Sequence, residues 1–502
     1  MVRETLTIFY SAMEEKLKVT KWLLFGLYFV QKTTNHLGGI SKLVLRKFFK
    51  ASHEQGGLGL NPAQAGFIIT TTSIGWYLKP LLGIITDNVP LFGYRRKYWI
   101  VFALLFSGTT WLYIAFFNDF SKATIIACLV TINILVAFTD VVTDGFFIDT
   151  IQDGTEKEKI EQNKLLQSYQ WRGAFTAVIL SSFFGGIIAQ AFNLKLAALI
   201  SGTIPIIMAV VVCWKFKEQR VNHVKQEKRK GFIAMLYIAV FVTLIVFINK
   251  ITLSNIQSTF VAFGISLLIM FVVLGTTRFP KQLLMPVIIL FLWEAIPFDK
   301  NSQYFYSYIS QDNKEIGNVI ASNQFVAFVS DIFNSSDNAS GRLDFFYSSI
   351  LLTIGQTFSL VGCLIYFSLF RKLNYLKGFK ICILLYLIEM FLFATIPVFH
   401  FTSVLLLICC SALSGVVFAF ALLISSTYSA ELVPNSNQAA IFAALASASN
   451  MGKMLGVEIV GNNTYTYFAN GSMGNPNNGL IAVLLFSILF LIFLFAIIKN
   501  PL

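Results

Sequence analysis

Residues 64–97 read QAGFIITTTSIGWYLKPLLGIITDNVPLFGYRRK. An apolar run interrupted by Lys79 ends at Asp87, and a short turn containing Gly93 then leads into Arg95, Arg96 and Lys97. A helix needs roughly 20 residues, at about 1.5 Å each, to cross about 30 Å of hydrocarbon, and it must satisfy its own backbone polar groups there. The run has that length, so it predicts a membrane span whose end is marked by a carboxylate and a basic cluster.

The same pattern recurs outward in both directions. Candidate spans fall at 21–46, 64–86, 98–117, 122–148, 166–192, 196–214, 231–249, 254–275, 283–309, 345–370, 379–398, 402–430, 437–460 and 479–498. This predicts an all-α polytopic membrane protein with about 14 transmembrane helices, or 12 as the alternative. Composition agrees: of 502 residues 56% are apolar, 15% aromatic and 13% charged, with a mean hydropathy of +0.70. Soluble domains carry about 25% charged residues, so an ordinary soluble architecture is excluded.

The net charge of +13 does not point to nucleic acid, because the cations lie mostly in short loops between apolar runs. With the N-terminus cytoplasmic, most Lys and Arg residues fall in inner loops, and the dense clusters at 95–97, 215–230 and 371–380 agree in sign. Both termini are then cytoplasmic. Residues 1–20 contain Arg3, Glu4, Glu14, Glu15, Lys16 and Lys18 without a short apolar core, so the first span is expected to act as its own insertion signal. The six cysteines all lie in apolar runs, with no CxxC pattern, so neither a metal nor a cofactor is expected.

An internal repeat is visible. TDGFFIDTIQ from Thr143 and SSTYSAELVP from Ser425 place Asp149 opposite Glu431, and each is followed by a polar linker and a Gly- and Ala-bearing helix around Gly173 or Gly452. Two six-helix halves with a midplane site between them is the major facilitator arrangement. The expected division is 1–214 for the first half, 215–282 for a basic cytoplasmic loop and an inserted helix pair, and 283–502 for the second half.

Gly83, Asp87, Gly93, Arg95 and Arg96 resemble the cytoplasmic gating motif of the major facilitator superfamily, with Asp149 expected beside them. The alternative is that Arg95 to Lys97 only anchor topology. The whole stretch from Gly75 to Arg96 resembles the folate-biopterin transporter family more closely. So do DVVTD from Asp140 to Asp144, QWRG from Gln170 to Gly173, and the segment from Pro434 to Asn450. Departures are Gly145 and Asp149 in span four, and Gln438 where the family carries a Glu. The resemblance implies transport, with substrates among pterins, folates and S-adenosylmethionine.

A charge at the middle of a span costs roughly 2.5–3.5 kcal/mol on insertion scales, so Lys79, Asp140, Asp144, Arg172 and Glu294 each require a partner or a watery cavity. Lys79 stands about 12 Å above Asp87, and Asp140 about 13.5 Å above Asp149, at the helical rise. Asp140 and Asp144 share a helix face, and Arg172 sits near the level of Asp144. On the functional reading, Lys79 and Arg172 attract an anionic substrate while Asp140 or Asp144 exchanges a coupling proton. On the other reading, the four only hold helices together. Trp76, Tyr77 and Trp171 are candidates for stacking on a flat heterocycle. Glu294 is the second-half counterpart, and Lys32, His36 and Lys453 are weaker candidates.

There is no GxxxxGK[ST], HExxH or GxSxG context, so ATP-driven transport and hydrolysis lack residues to carry them. The expected function is gradient-driven secondary transport, as a proton-coupled symport, by a monomer in the plasma membrane. Its expected partners are a small-molecule substrate, a proton and the bilayer, with no nucleic acid. A carrier for another polar metabolite or a drug, or a non-transporting receptor, stays open. Asn334, Asn338, Asn462 and Asn470 begin triplets that a eukaryotic host can glycosylate.

Overall fold

The computed structural model describes residues 2–35, 39–50, 57–59, 72, 74–117, 121–150, 156–190, 193–220, 228–248, 281–300, 302–309, 314–332, 342–343, 345–370, 373–399, 403–433, 438–470 and 474–499, with isolated helical residues at 264, 267–268 and 272. Twelve helices carry the argument below: α1 Val2–Thr34, α2 Ile74–Asn88, α3 Lys97–Phe116, α4 Lys122–Thr150, α5 Glu156–Gln190, α6 Leu194–Lys215, α7 Leu284–Glu294, α8 Leu352–Phe370, α9 Tyr375–Phe399, α10 Val404–Glu431, α11 Gln438–Lys453 and α12 Pro476–Lys499. Among the described residues, the only bridge of β type joins Leu91 and Tyr94.

Nine helices among the described residues are long and apolar enough to cross a membrane. They correspond to expected spans three to six and ten to fourteen. Span one begins earlier than expected, as α1, and its helix ends at Thr34 rather than running to position 46. Span seven corresponds to the helix Lys228–Ile248, whereas span eight lies almost wholly outside the described residues. Span nine is cut short. α7 stops at Glu294, because Pro297 follows and the residue before a proline is pushed out of the helical region; the chain continues through an irregular stretch to the helix Gln303–Ser307. α11 runs on as a π-helical segment, Met454–Gly461, and then as the helix Asn462–Asn470.

Hydroxyls in these helices are quieted locally. Thr139 and Thr143 on α4 donate to the carbonyls of Leu135 (2.9 Å) and Thr139 (2.7 Å), one turn back, so neither exposes a polar group to apolar neighbours. The outer surface is apolar, as lipid requires: Trp214 is 76% and Leu489 65% exposed.

α3 packs on α6, α1 on α5, α8 on α10 and α9 on α12. α2 lies along both α4 and α11, and α5 lies along α8. The α2–α11 crossing is close: a Cβ on Gly83 would stand 2.5 Å from Ala440 Cα. The α1–α5 crossing is closer still, since a Cβ on Gly173 would stand 2.1 Å from the Phe25 carbonyl oxygen. These crossings bring the charged faces of α1, α2, α4 and α5 toward one another.

Candidate functional site

α2 is pinned to α4 near its start, where Gly75 N donates to Asn133 Oδ1 (2.9 Å). One turn further along α2, Lys79 Nζ reaches Asp140 Oδ2 at 2.5 Å, with both side chains under 10% exposed. Two charges taken out of water need close pairing and further hydrogen bonds, and the Gln31 side chain of α1 lies against Asp140, 2.8 Å from Oδ1, where its amide donates once its nitrogen is turned to face the carboxylate. One turn below, Tyr28 of α1 donates to Asp144 Oδ1 (2.6 Å), and Gln170 Nε2 of α5 approaches the same oxygen at 3.5 Å.

The second base of this cluster is Lys32. Its ammonium lies 5.7 Å from the ring centre of Trp76 and 5.4 Å from that of Trp171, and it is an electrostatic neighbour of Asp140, Lys79, Asp144 and Lys453. Among the described residues it forms no ion pair. Lys79 shares the Trp76 face, 5.2 Å from the ring centre, in cation–π contact. Arg172, expected at the level of Asp144, stands apart. Its guanidinium lies 4.7 Å over the Tyr169 ring, and among the described residues its Nε has no hydrogen-bond partner and it makes no ion pair. His36 and the Tyr77 side chain lie outside the described residues.

Across from this cluster, α7 and α11 carry a second one. Lys453 Nζ pairs with Asp299 Oδ2 at 2.9 Å, and Glu294, at the end of α7, is an electrostatic neighbour of both. Lys300 Nζ donates to Ser411 O (2.9 Å) and Ser411 Oγ (3.0 Å) on α10. Glu389 on α9 is 3% exposed. Sequence reasoning passed over Asp299, Lys300 and Glu389, although a lone acid in the apolar run of α9 was signal enough for the last of these.

At the basic end of the bundle, the residues expected to gate converge. Arg96 is 1% exposed; its Nη2 meets Asp87 Oδ1 at 2.8 Å, its Nε meets Asp149 Oδ2 at 3.0 Å, and its Nη1 donates to Thr86 Oγ1 (2.9 Å). Arg95 Nη2 approaches Asp87 Oδ1 at 3.4 Å. Gly145 makes room for this guanidinium, since a Cβ there would stand 2.7 Å from Arg96 Cζ. Asp87 also accepts from Ala440 N (3.0 Å) and Ala439 N (3.4 Å) at the start of α11, where a helix has unsatisfied N–H groups and a partial positive charge. Gly93 (φ 84°) follows Phe92 (φ 54°) in a two-residue turn, and left-handed backbone at both central positions is what such a turn requires. Glu218, which sequence reasoning also passed over, closes the site. Its carboxylate accepts from Arg95 N (3.0 Å), Arg96 N (3.0 Å) and Lys97 N (2.8 Å), capping α3.

Several known proteins resemble this chain. It is 29% identical over 185 residues to the "Folate-biopterin transporter" of Synechocystis sp., a stretch covering 37% of this chain and 34% of that protein. It is 25% identical over 168 residues to "Probable folate-biopterin transporter 7" of Arabidopsis thaliana, covering 33% and 37%. The matched stretch is thus about a third of the length of these relatives. Among solved structures, a POT family transporter in complex with a thioalcohol-conjugated peptide superposes with a TM-score of 0.61 at 13% identity, covering 97% of both chains. The proton:xylose symporter XylE superposes with a TM-score of 0.54 at 13% identity, covering 97% of this chain and 96% of the other. At that identity the likeness shows the fold: this is a multi-pass membrane protein with the major facilitator architecture. A profile of the BT1 family matches residues 38–502, and the chain belongs to that family.

Proposed function

We propose that the chain is a proton-coupled secondary transporter that moves an anionic metabolite, of pterin or folate type, by alternating access. The observation that carries this reading is Lys32: an ammonium with no ion-pair partner among the described residues, set between Trp76 and Trp171 and beside the Lys79–Asp140 pair. A cation at membrane depth that touches neither of its neighbouring carboxylates, Asp140 and Asp144, leaves its ammonium open to an anionic group, and indole faces suit a flat ring. In this reading Lys32, Lys79 and Trp76 bind the substrate, with Glu294 facing them and Arg172 contributing long-range attraction. Asp140 and Asp144 exchange the proton, and the Asp87–Arg96–Asp149 cluster, with Gly83, Gly93 and Arg95, forms the cytoplasmic gate. The contacts of α2 with α11 and of α5 with α8 support a division into halves 1–214 and 283–502 with 215–282 inserted, since a pseudo-two-fold axis exchanges the two crossings. The carrier works as a monomer in the plasma membrane with both termini cytoplasmic.

The test is uptake of labelled folate, biopterin and S-adenosylmethionine in a transport-deficient host, with Lys32→Gln, Lys79→Ala and Asp140→Asn alongside. Folate or biopterin uptake is expected, lost in Lys79→Ala and Asp140→Asn and reduced at least tenfold in apparent affinity in Lys32→Gln, about 1.4 kcal/mol. Uptake indifferent to all three substitutions removes the site, and uptake of S-adenosylmethionine alone removes the anionic substrate class.

A further inference from the structure

Glu389 is the single acid of α9 and is used by nothing described so far. It is 3% exposed. One carboxylate oxygen takes a hydrogen bond from Ser414 of α10, while Oε2 has no hydrogen-bond partner among the described residues. An ionised carboxylate left that way in a membrane interior is expensive. Its cationic neighbour is Lys300, which forms no ion pair with it among the described residues and instead donates to Ser411 O and Oγ on α10.

That ammonium occupies a built cradle. A Cβ on Gly355 of α8 would stand 2.6 Å from Lys300 Nζ and 3.1 Å from Ser411 Oγ, so a side chain there would fill the space that the ammonium uses. Ser411 Oγ is itself fixed by donating to Leu351 O (2.8 Å). Lys300 therefore has a parking place on α8 and α10 and a carboxylate within electrostatic reach on α9. Among the described residues, the other groups in electrostatic reach of Glu389 are Asp299, Tyr386 of its own helix and Cys410 of α10; α12, which packs on α9, has no ionisable group before Lys499. Asp299 in turn pairs with Lys453, whose side chain is 48% exposed.

We propose that Glu389 is a second proton-binding site. It exchanges between a neutral carboxyl, with the Lys300 ammonium parked on Ser411, and a carboxylate paired with that ammonium. One proton is taken from water and later returned to water, and the ammonium keeps its own protons throughout. The proposal deepens the transport reading and rests on it for its use, because it sets a coupling group in the half of the chain that Gln438 leaves without the family's acid.

The experiment is infrared difference spectroscopy of the purified full chain in lipid discs, acid against alkaline buffer. A carboxyl C=O band is expected in the wild type, absent in Glu389→Gln and retained in Asp140→Asn. In Gly355→Ala, which displaces the ammonium toward Glu389, the same band is expected to require about tenfold or more higher proton concentration. A band unchanged in Glu389→Gln, or a titration unmoved by Gly355→Ala, overturns the proposal; if Glu389→Gln does not fold, the Gly355→Ala titration decides alone. These readings need no substrate, so a carrier that moves none of the compounds offered fails the transport reading without touching this one.

Discussion

Replacing Asp87 tests the gate most sharply, because one carboxylate does two jobs there. It pairs with Arg96, 1% exposed on both sides, and it accepts from Ala439 N and Ala440 N at the start of α11. Removing one member of a buried ion pair costs about 3–5 kcal/mol, and losing a helix cap costs about 1 kcal/mol. Arg96 keeps Asp149 and Thr86, so the low end of the first figure applies. The loss falls on the closed arrangement alone, and about 3 kcal/mol corresponds to roughly a hundredfold shift in population. The assay places a single cysteine at Ala443, buried on α11, in a background without the six native cysteines, and measures labelling by an impermeant thiol reagent from the gate side. Asp87→Ala is expected to speed labelling about a hundredfold, and Asp87→Asn, whose amide oxygen still caps α11, somewhat less. Labelling at the wild-type rate in both variants refutes the claim that this cluster holds the closed state.

Two further outcomes follow from the packing. Glu218→Ala strips the acceptor from three backbone N–H groups at the start of α3, so a loss of about 0.5–2 kcal/mol is expected, read as a lowered Tm that Glu218→Gln largely restores. Gly173→Leu forces side-chain atoms onto the Phe25 carbonyl, 2.1 Å from where its Cβ would stand; a destabilisation of about 1–3 kcal/mol or more should appear as reduced yield of monodisperse protein, and a normal yield would show that α1 and α5 are not held so close.

The helical character and the depth of the charges were readable because both depend on spacing along one chain. Counting 1.5 Å per residue put Lys79 level with Asp140, and the two are in contact. Depth says nothing about azimuth, which is why Arg172 was expected beside Asp144 and instead folds back over Tyr169, three residues earlier on its own helix. Lys32, a weaker candidate by sequence, lies on α1, which continues helical to Thr34 and places the ammonium beside Trp76 and Trp171. Glu218 and Lys300 lie in stretches whose partners are more than 100 residues away, and no local pattern announces such a contact. The expected span 283–309 ran through Pro297, although that proline is the local signal for the helix end at Glu294.

The π-helical run Met454–Gly461 and the irregular exit of α7 are not separate irregularities. Cβ atoms on Gly456 and Gly461 would stand 2.4 Å from the Ala295 carbonyl carbon and 2.5 Å from the Pro297 carbonyl oxygen, so the two backbones touch where each departs from regular geometry. A rod bends where its ladder of bonds is already out of step. Two such joints lying against each other flex together or not at all, so a tilt of the outer part of α11 is transmitted directly to the peptide segment bearing Asp299 and Lys300.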